Sequence, residues 1–314
     1  MTDNLIGQEQ AVKLLQRAVE LKRIAPAYLF VGTAGIGKSL AATNFTELIL
    51  CADLAENKHF SVQKRLQTRN HPDLFWVLPT YLHQGQLITE TQAAEIGLKR
   101  KAPPQIRIEQ IREIAQFVSR PPLEASRLVV IIEDAQTMAE SAANALLKTL
   151  EEPGKATIIL IAPDANSLLS TLVSRCQQIK FNSLSQTDLA KILQENGYTE
   201  ILEHPQIMAI AQGSPGKAIS AFNQLKQIPE NLHKQLLQFP QNSLAALQLA
   251  KKITQELDTQ TQLWLVDYLQ YYYWQLGRKT QIIEHLSKAR QYLLSYVQPR
   301  LVWECTLLSL ISNR

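Results

Sequence analysis

Residues 27–50 constrain this chain more than any other stretch. Ala27-Tyr28-Leu29-Phe30-Val31 is followed by Gly32-Thr33-Ala34-Gly35-Ile36-Gly37-Lys38-Ser39 and then by a helical run from Lys38 to about Leu50. Five apolar residues closed by a glycine read as a buried strand. The next eight match G-x-x-x-x-G-K-[ST], the loop whose glycines let backbone N–H groups turn inward around phosphate oxygens. The helix N-terminus adds favourable potential for an anion, Lys38 is placed to reach β- and γ-phosphates, and the Ser39 hydroxyl is placed to hold Mg²⁺. Gly32, Gly35, Gly37, Lys38 and Ser39 are therefore candidate ligands for ATP or ADP with Mg²⁺. A strand, glycine-rich loop and helix in this order belong to a parallel α/β sheet, so the fold question becomes how far that sheet extends.

The alternation continues. Leu74–Leu78, Leu128–Ile132, Thr157–Ala162 and Gln177–Phe181 read as strands, and 9–22, Ile108–Val118 and Ala139–Leu150 as amphipathic helices. Continuous apolar runs separated by such helices are what a parallel sheet covered on both faces requires. After Phe181 no further strand is legible. Ser185 with Asp188 three residues on reads as a helix N-cap with an acidic N3, and Gly213-Ser214-Pro215 as a helix end, a new N-cap and Pro at N1. From about 230 the pattern is helical, interrupted near Pro240, Gly277 and Pro299. The predicted organisation is an α/β core over 1–181, a helical lid over 182–226 and an all-α domain over 227–314. The polar stretch Gly85–Pro104, with Lys99-Arg100-Lys101, reads as a surface excursion.

Composition removes several classes. With 32 Lys plus Arg against 28 Asp plus Glu the net charge is only +4, so the chain is no simple polycation, and 46% hydrophobic residues exclude disorder as its main state. Met1–Asn4 lack a basic stretch, and no apolar run approaches the ~18 residues that cross a bilayer, so a cytoplasmic protein without membrane contact is expected. Cys51, Cys176 and Cys305 are too few and too scattered for a disulfide framework or a four-ligand zinc site.

A phosphate loop works with acidic groups at the end of another strand. Leu128-Val129-Val130-Ile131-Ile132 runs into Glu133-Asp134, which resembles a Walker B element with the usual Asp-Glu order reversed. Each position changes by one methylene, and a misplacement of about 1 Å costs on the order of a hundredfold in rate, so weak or absent hydrolysis is expected.

Ile6-Gly7-Gln8, Ala27-Tyr28-Leu29-Phe30, the glycine loop, His71-Pro72-Asp73, Asn144–Pro153, Ser174-Arg175-Cys176 and Gly213-Ser214-Pro215-Gly216 occur in that order. Together they resemble the clamp-loader branch of the AAA+ ATPases, over about residues 4–225. The resemblance implies an AAA+ core, a helical lid and a C-terminal collar, in one subunit of a hetero-pentameric ring with gamma/tau-type and delta subunits. It further implies that the ring uses ATP to place a sliding clamp on primed DNA, and that Arg175 acts in trans on nucleotide held by a neighbour. An arginine suits that task because its planar, permanently charged fork engages phosphate oxygens bidentately.

Departures from the motor subunits of that branch set the expected role. Leu160-Ile161-Ala162-Pro163-Asp164 offers no side-chain polar group at Ala162 or Pro163, where motors carry a sensor. Gly216 stands where they carry a second sensing arginine, with Lys217 adjacent. A subunit that presents Arg175 but turns over little ATP is expected; the alternative is a gamma/tau-type motor. The family's zinc cysteines are reduced to Cys51, with only His59 and His71 nearby in sequence, so no zinc site is expected and His71 is read as a loop-capping side chain. In the aromatic stretch Trp264, Tyr268, Tyr271, Tyr272, Tyr273 and Trp274, helical spacing puts Trp264, Tyr268 and Tyr271 or Tyr272 on one stripe, read as core or inter-subunit packing rather than a single-strand stacking platform.

Overall fold

The computed structural model describes residues 5–98, 102–238, 240–275, 277 and 280–312; Met1–Asn4 and Lys99–Lys101 lie outside the described residues. The chain divides into two compact units, Met1–Asp188 and Leu189–Arg314.

The first unit is built on a five-stranded sheet. Its strands are β1 (Ala27–Val31), β2 (Leu74–Val77), β5 (Leu128–Ile132), β6 (Ala156–Ala162) and β7 (Gln177–Lys180), in spatial order β2-β5-β6-β1-β7. Every pairing is parallel, with Leu29 opposite Leu160 and Gln178, and Val130 opposite Phe75 and Ile158. Every residue of β1, β5 and β6 is buried, which is why these segments read as continuous apolar runs rather than alternating ones. Leu29, Val130, Ile132, Ile158 and Leu160 share one core cluster with Ile111, Ile114 and Leu146 from helices Ile108–Ser119 and Glu140–Glu151. Because β6 lies between β5 and β1, the loops leaving β1 and β5 flank the end of β6. That is the crevice where α/β sheets place ligands.

The predicted strands and helices differ from the observed bounds by a residue or so, but two stretches hold elements that were not foreseen. Helix Glu56–Gln67 occupies the stretch before His71. The excursion after β2 carries a hairpin of β3 (Thr80–His83) and β4 (Gln86–Thr89), then helix Glu90–Glu95. Gln84 and Gly85 both adopt positive φ, 50° and 81°, as a two-residue turn matching the strand twist requires. The helix begins with a capping box, Thr89 Oγ1 accepting from the Gln92 N–H while Gln92 accepts from the Thr89 N–H.

The second unit is helical throughout its described residues. Ser214 caps helix Pro215–Gln227 as expected, its hydroxyl accepting from the Lys217 N–H at 3.3 Å. Helices Ser243–Glu256, Thr259–Gln275, Thr280–Leu294 and Pro299–Ser312 enclose one cluster around Ala250, Leu265, Leu269, Leu286, Leu293 and Trp303. Trp303 is fully buried because its indole N–H finds Gln262 Oε1 at 3.0 Å. In the aromatic stretch, Tyr268 and Tyr273 are core residues, Trp264 stacks on Tyr268 at 5.3 Å, and the Tyr273 hydroxyl donates to the Leu236 carbonyl at 2.6 Å. Trp274 alone projects, 65% exposed. No helix among the described residues is long and apolar enough to cross a membrane.

Candidate functional site

The loop after β1 is pinned at its root. Gly32 donates its N–H to the Pro163 carbonyl at 3.1 Å, and a Cβ built on it would sit 2.5 Å from the Phe181 carbonyl oxygen. Only glycine allows so close an approach of two backbones. Gly37, at φ 103°, stands immediately before helix Lys38–Cys51 and leaves the helix N-terminal N–H groups without a side-chain cap. Lys38 is buried and donates to the carbonyls of Gly32 and Thr33, the latter at 2.9 Å. Gly35, Gly37, Lys38, Ser39, Glu133 and Asp134 line one cavity of about 360 Å³. Of the predicted nucleotide ligands and acidic residues, all but Gly32 thus face a single space, and Gly32 anchors its floor.

The reversed acidic pair divides its labour unequally. The Ser39 hydroxyl donates to Glu133 Oε1. Glu133 Oε2 accepts from the Trp76 indole N–H at 3.0 Å and lies 3.7 Å from the Arg69 guanidinium. Asp134 sits in the left-handed region at φ 49° and accepts from the Gln136 amide at 3.1 Å, away from Ser39. A hydroxyl that ligates Mg²⁺ does so through its lone pairs and hands its proton elsewhere, so the Ser39–Glu133 bond fits a magnesium-bearing site. The backbone cradle and Lys38 fit a nucleotide's phosphates. Ala162 and Pro163, at the end of β6 beside the cavity, supply no polar side chain.

Arg175 is not part of this cavity. It follows the short helix Ser170–Val173, and its guanidinium donates through Nε and Nη2 to Glu151 Oε1 at 3.0 and 2.6 Å, and through Nη1 to the Thr171 carbonyl at 3.0 Å. The arginine is 37% exposed and Glu151 52%, so the pair is a surface one, worth about 0–1 kcal/mol. Glu151, Arg69 and Trp76 were not singled out in the sequence. Glu151 lies inside a recognised motif, whereas nothing in local periodicity marks Arg69 or Trp76.

His71-Pro72-Asp73 is structural. Asp73 is fully buried, and its carboxylate accepts the N–H groups of Leu123, Glu124 and Ala125 at 2.7, 2.8 and 2.8 Å. The Asp73 N–H in turn donates to His71 Nδ1 at 3.1 Å, so the neutral ring carries its proton on Nε2, 4.0 Å from Glu124. His71 does cap this loop, as expected. Burial, aided by the Arg65 charge, pushes the imidazole below its ordinary 6.5, overriding the opposite pull of Asp73 and Glu124. A folded-state pKa below the unfolded one means that the unfolded chain takes up the proton first. The contribution is therefore complete above about 6.5 and is lost as pH falls below it. His71→Asn, which keeps an acceptor for the Asp73 N–H, is expected to flatten the fall in urea midpoint between pH 7.5 and 5.5.

Cys51 and Cys176 are partly buried, whereas Cys305 is exposed. Burial raises the Cys176 thiol to about 12 and, with Glu47, pushes Cys51 up as well. No group of three His, Cys, Asp or Glu among the described residues is arranged to hold a metal ion.

Comparison with known proteins follows the same division of the chain. A family model described as DNA polymerase III, delta subunit, matches residues 7–185, and one described as cyanobacterial DNA polymerase III delta prime, C-terminal domain, matches residues 187–310. The chain is 34% identical over 180 residues to DNA polymerase III subunit delta' of Bacillus subtilis, covering 56% of this chain and 48% of that one. It is 33% identical over 199 residues to the corresponding subunit of Pseudomonas aeruginosa, covering 61% and 54%. It thus spans about half the length of these curated relatives. Among solved structures, a DNA polymerase III gamma subunit-related protein from Thermotoga maritima superposes with a TM-score of 0.55 at 16% identity, covering 96% of this chain and 99% of that one. That is a likeness of fold.

Proposed function

The chain belongs to the DNA polymerase III delta-subunit family, whose model takes in more than half of its residues, and on that premise we propose that it is a delta-prime-type clamp-loader subunit. In this reading it stands in a hetero-pentameric ring with gamma/tau-type and delta subunits, and the ring uses ATP to load a sliding clamp onto primed DNA. Residues 1–181 are the AAA+ core, 182–226 the lid and 227–314 the collar through which the ring is held.

The observation that carries the proposal is a formed phosphate cradle combined with an arginine presented outside it. Gly35, Gly37, Lys38 and Ser39 hold the phosphates of ATP or ADP, with Mg²⁺ reached through Ser39. Arg175 leaves its surface partner Glu151 and engages nucleotide bound by the neighbouring subunit. Own turnover is weak for two reasons: Ala162, Pro163 and Gly216 lack sensor groups, and Glu133 has both oxygens engaged.

Isothermal titration of the purified chain with ADP tests the cradle. Lys38→Ala removes the cationic phosphate contact and is expected to weaken binding by about a hundredfold, while ATP turnover of the wild-type chain stays far below that of a gamma/tau-type motor. Motor-like turnover abolished by Lys38→Ala would instead establish the gamma/tau alternative.

A further inference from the structure

The carboxylate at the end of β5 is held from three directions, and two of the groups holding it come from outside the phosphate loop. Ser39 donates to Oε1. The Trp76 indole N–H reaches Oε2 at 3.0 Å, and an Arg69 nitrogen stands 3.7 Å from the same oxygen. The Arg69 guanidinium also lies over the Trp76 ring, 4.0 Å from its centroid. Arg69 and Trp76 are thereby tied to each other as well as to Glu133.

The backbone fixes both partners. Trp76 lies on β2, paired with Ile131, and the Glu133 N–H donates to the Val77 carbonyl at 3.0 Å, so indole and carboxylate meet at adjacent strand ends. Arg69 leaves helix Glu56–Gln67 in the left-handed region, at φ 54°, with its own N–H donating to the Leu66 carbonyl at 3.0 Å. Glu133 is only 19% exposed on its side chain, so water screens these contacts less than it would on an open surface.

Two physical consequences follow. A carboxylate that takes a proton from water needs a lone pair in line with it, and the hydrogen bonds from Ser39 and Trp76 leave one on each Glu133 oxygen and fix its direction. A fixed guanidinium beside the carboxylate also offsets the negative charge that would otherwise favour a nearby divalent cation.

We infer that Arg69 and Trp76 are positioning residues that hold Glu133 on Ser39 and neutralise it, so that this cradle binds a nucleoside diphosphate with little gain from Mg²⁺. The inference deepens the phosphate-site reading given above and rests on it. Trp76 supplies direction, because its single N–H fixes the carboxylate plane. Arg69 supplies charge, and its stacking on the indole keeps that charge in place.

The test is ADP affinity of the full chain, measured by titration calorimetry in EDTA and again in Mg²⁺, and expressed as the ratio of the two dissociation constants. For the wild type the ratio is expected to stay below about threefold. Arg69→Ala should raise it to about tenfold or more, because the uncovered Glu133 carboxylate repels the bare diphosphate and attracts its divalent ion. Arg69→Lys keeps the charge and should stay near the wild-type ratio. A Trp76→Phe variant, which keeps the ring under Arg69 but loses the N–H, should raise the ratio by a smaller factor. Thermal melts confirm that each variant is folded. A wild-type ratio above tenfold overturns the inference and leaves the phosphate site standing. So does an Arg69→Ala ratio equal to the wild type's, or an Arg69→Lys ratio equal to that of Arg69→Ala. Absence of ADP binding in both buffers removes the phosphate-site reading, and the inference with it.

Discussion

Arg175→Ala is expected to lower the clamp-stimulated ATPase of a reconstituted loader by at least about tenfold while leaving the chain folded and assembled. The magnitude comes from what such an arginine does. A guanidinium delivered to a phosphoryl group in trans is worth roughly 10³–10⁵ in turnover in other P-loop enzymes, and a ring with several sites dilutes but does not hide its loss. The variant should fold because Arg175 gives up only an exposed ion pair with Glu151 and one bond to the Thr171 carbonyl. In the proposed role, the same weakness is what would let the wild-type side chain exchange Glu151 for phosphate oxygens. Arg175→Lys should rescue turnover poorly, because an ammonium on a flexible stem cannot reproduce a planar fork with five donors. Turnover of the reconstituted complex and its elution on a sizing column together check this.

The second large effect is on stability. Asp73→Ala is expected to cost about 3–4 kcal/mol, read from urea unfolding of the first unit by the fluorescence of its Trp76. Three backbone N–H groups, from Leu123, Glu124 and Ala125, lose a buried charged acceptor at once. The loop they belong to also carries Glu124, whose pair with Arg65 has an Nη1–Oε1 distance of 2.8 Å. Loosening it therefore releases helix Glu56–Gln67 from the sheet side as well. Asp73→Asn should recover part of the loss, since an amide oxygen accepts two of these bonds without the charge.

The sheet was legible in the sequence because its central strands are buried on both faces. A segment such as Leu128–Ile132 has no polar residue to confuse the reading, and in Gly32–Ser39 the glycines, Lys38 and Ser39 each carry a geometric reason. The caps at Ser185 and Ser214 were legible for the same local reason. What escaped was whatever depended on distant partners or weak patterning. Helix Glu56–Gln67 buries only Val62 and Leu66 and leaves Phe60 exposed, so its stripe is too thin to stand out. The β3–β4 hairpin turns on Gln84-Gly85 rather than on Asn-Gly, and its strands are only partly buried.

The site shows the same limit. Ser39 and Glu133 are 94 positions apart, and Trp76 and Glu133 57, yet the strand order, with β2 beside β5 and only β6 between β5 and β1, brings both pairs into hydrogen-bonding contact. Glu133 and Asp134 looked equivalent in sequence as exchanged carboxylates. The left-handed backbone at Asp134 turns its side chain towards Gln136, leaving Glu133 as the partner of the glycine loop. Arg175 was identified from its motif, but the carboxylate that holds it, Glu151, belongs to a different helix and could be assigned only from the fold.

The central claim is that this chain lends an arginine to another subunit's nucleotide and does not itself drive turnover. It is tested most directly by comparing two variants in one reconstituted complex: Lys38→Ala, which disables the chain's own cradle, and Arg175→Ala, which disables only what it offers outward. The account predicts that clamp-stimulated ATP turnover stays within about twofold of wild type for Lys38→Ala and falls at least tenfold for Arg175→Ala. A collapse of turnover with Lys38→Ala and wild-type turnover with Arg175→Ala would contradict it and make the chain a motor.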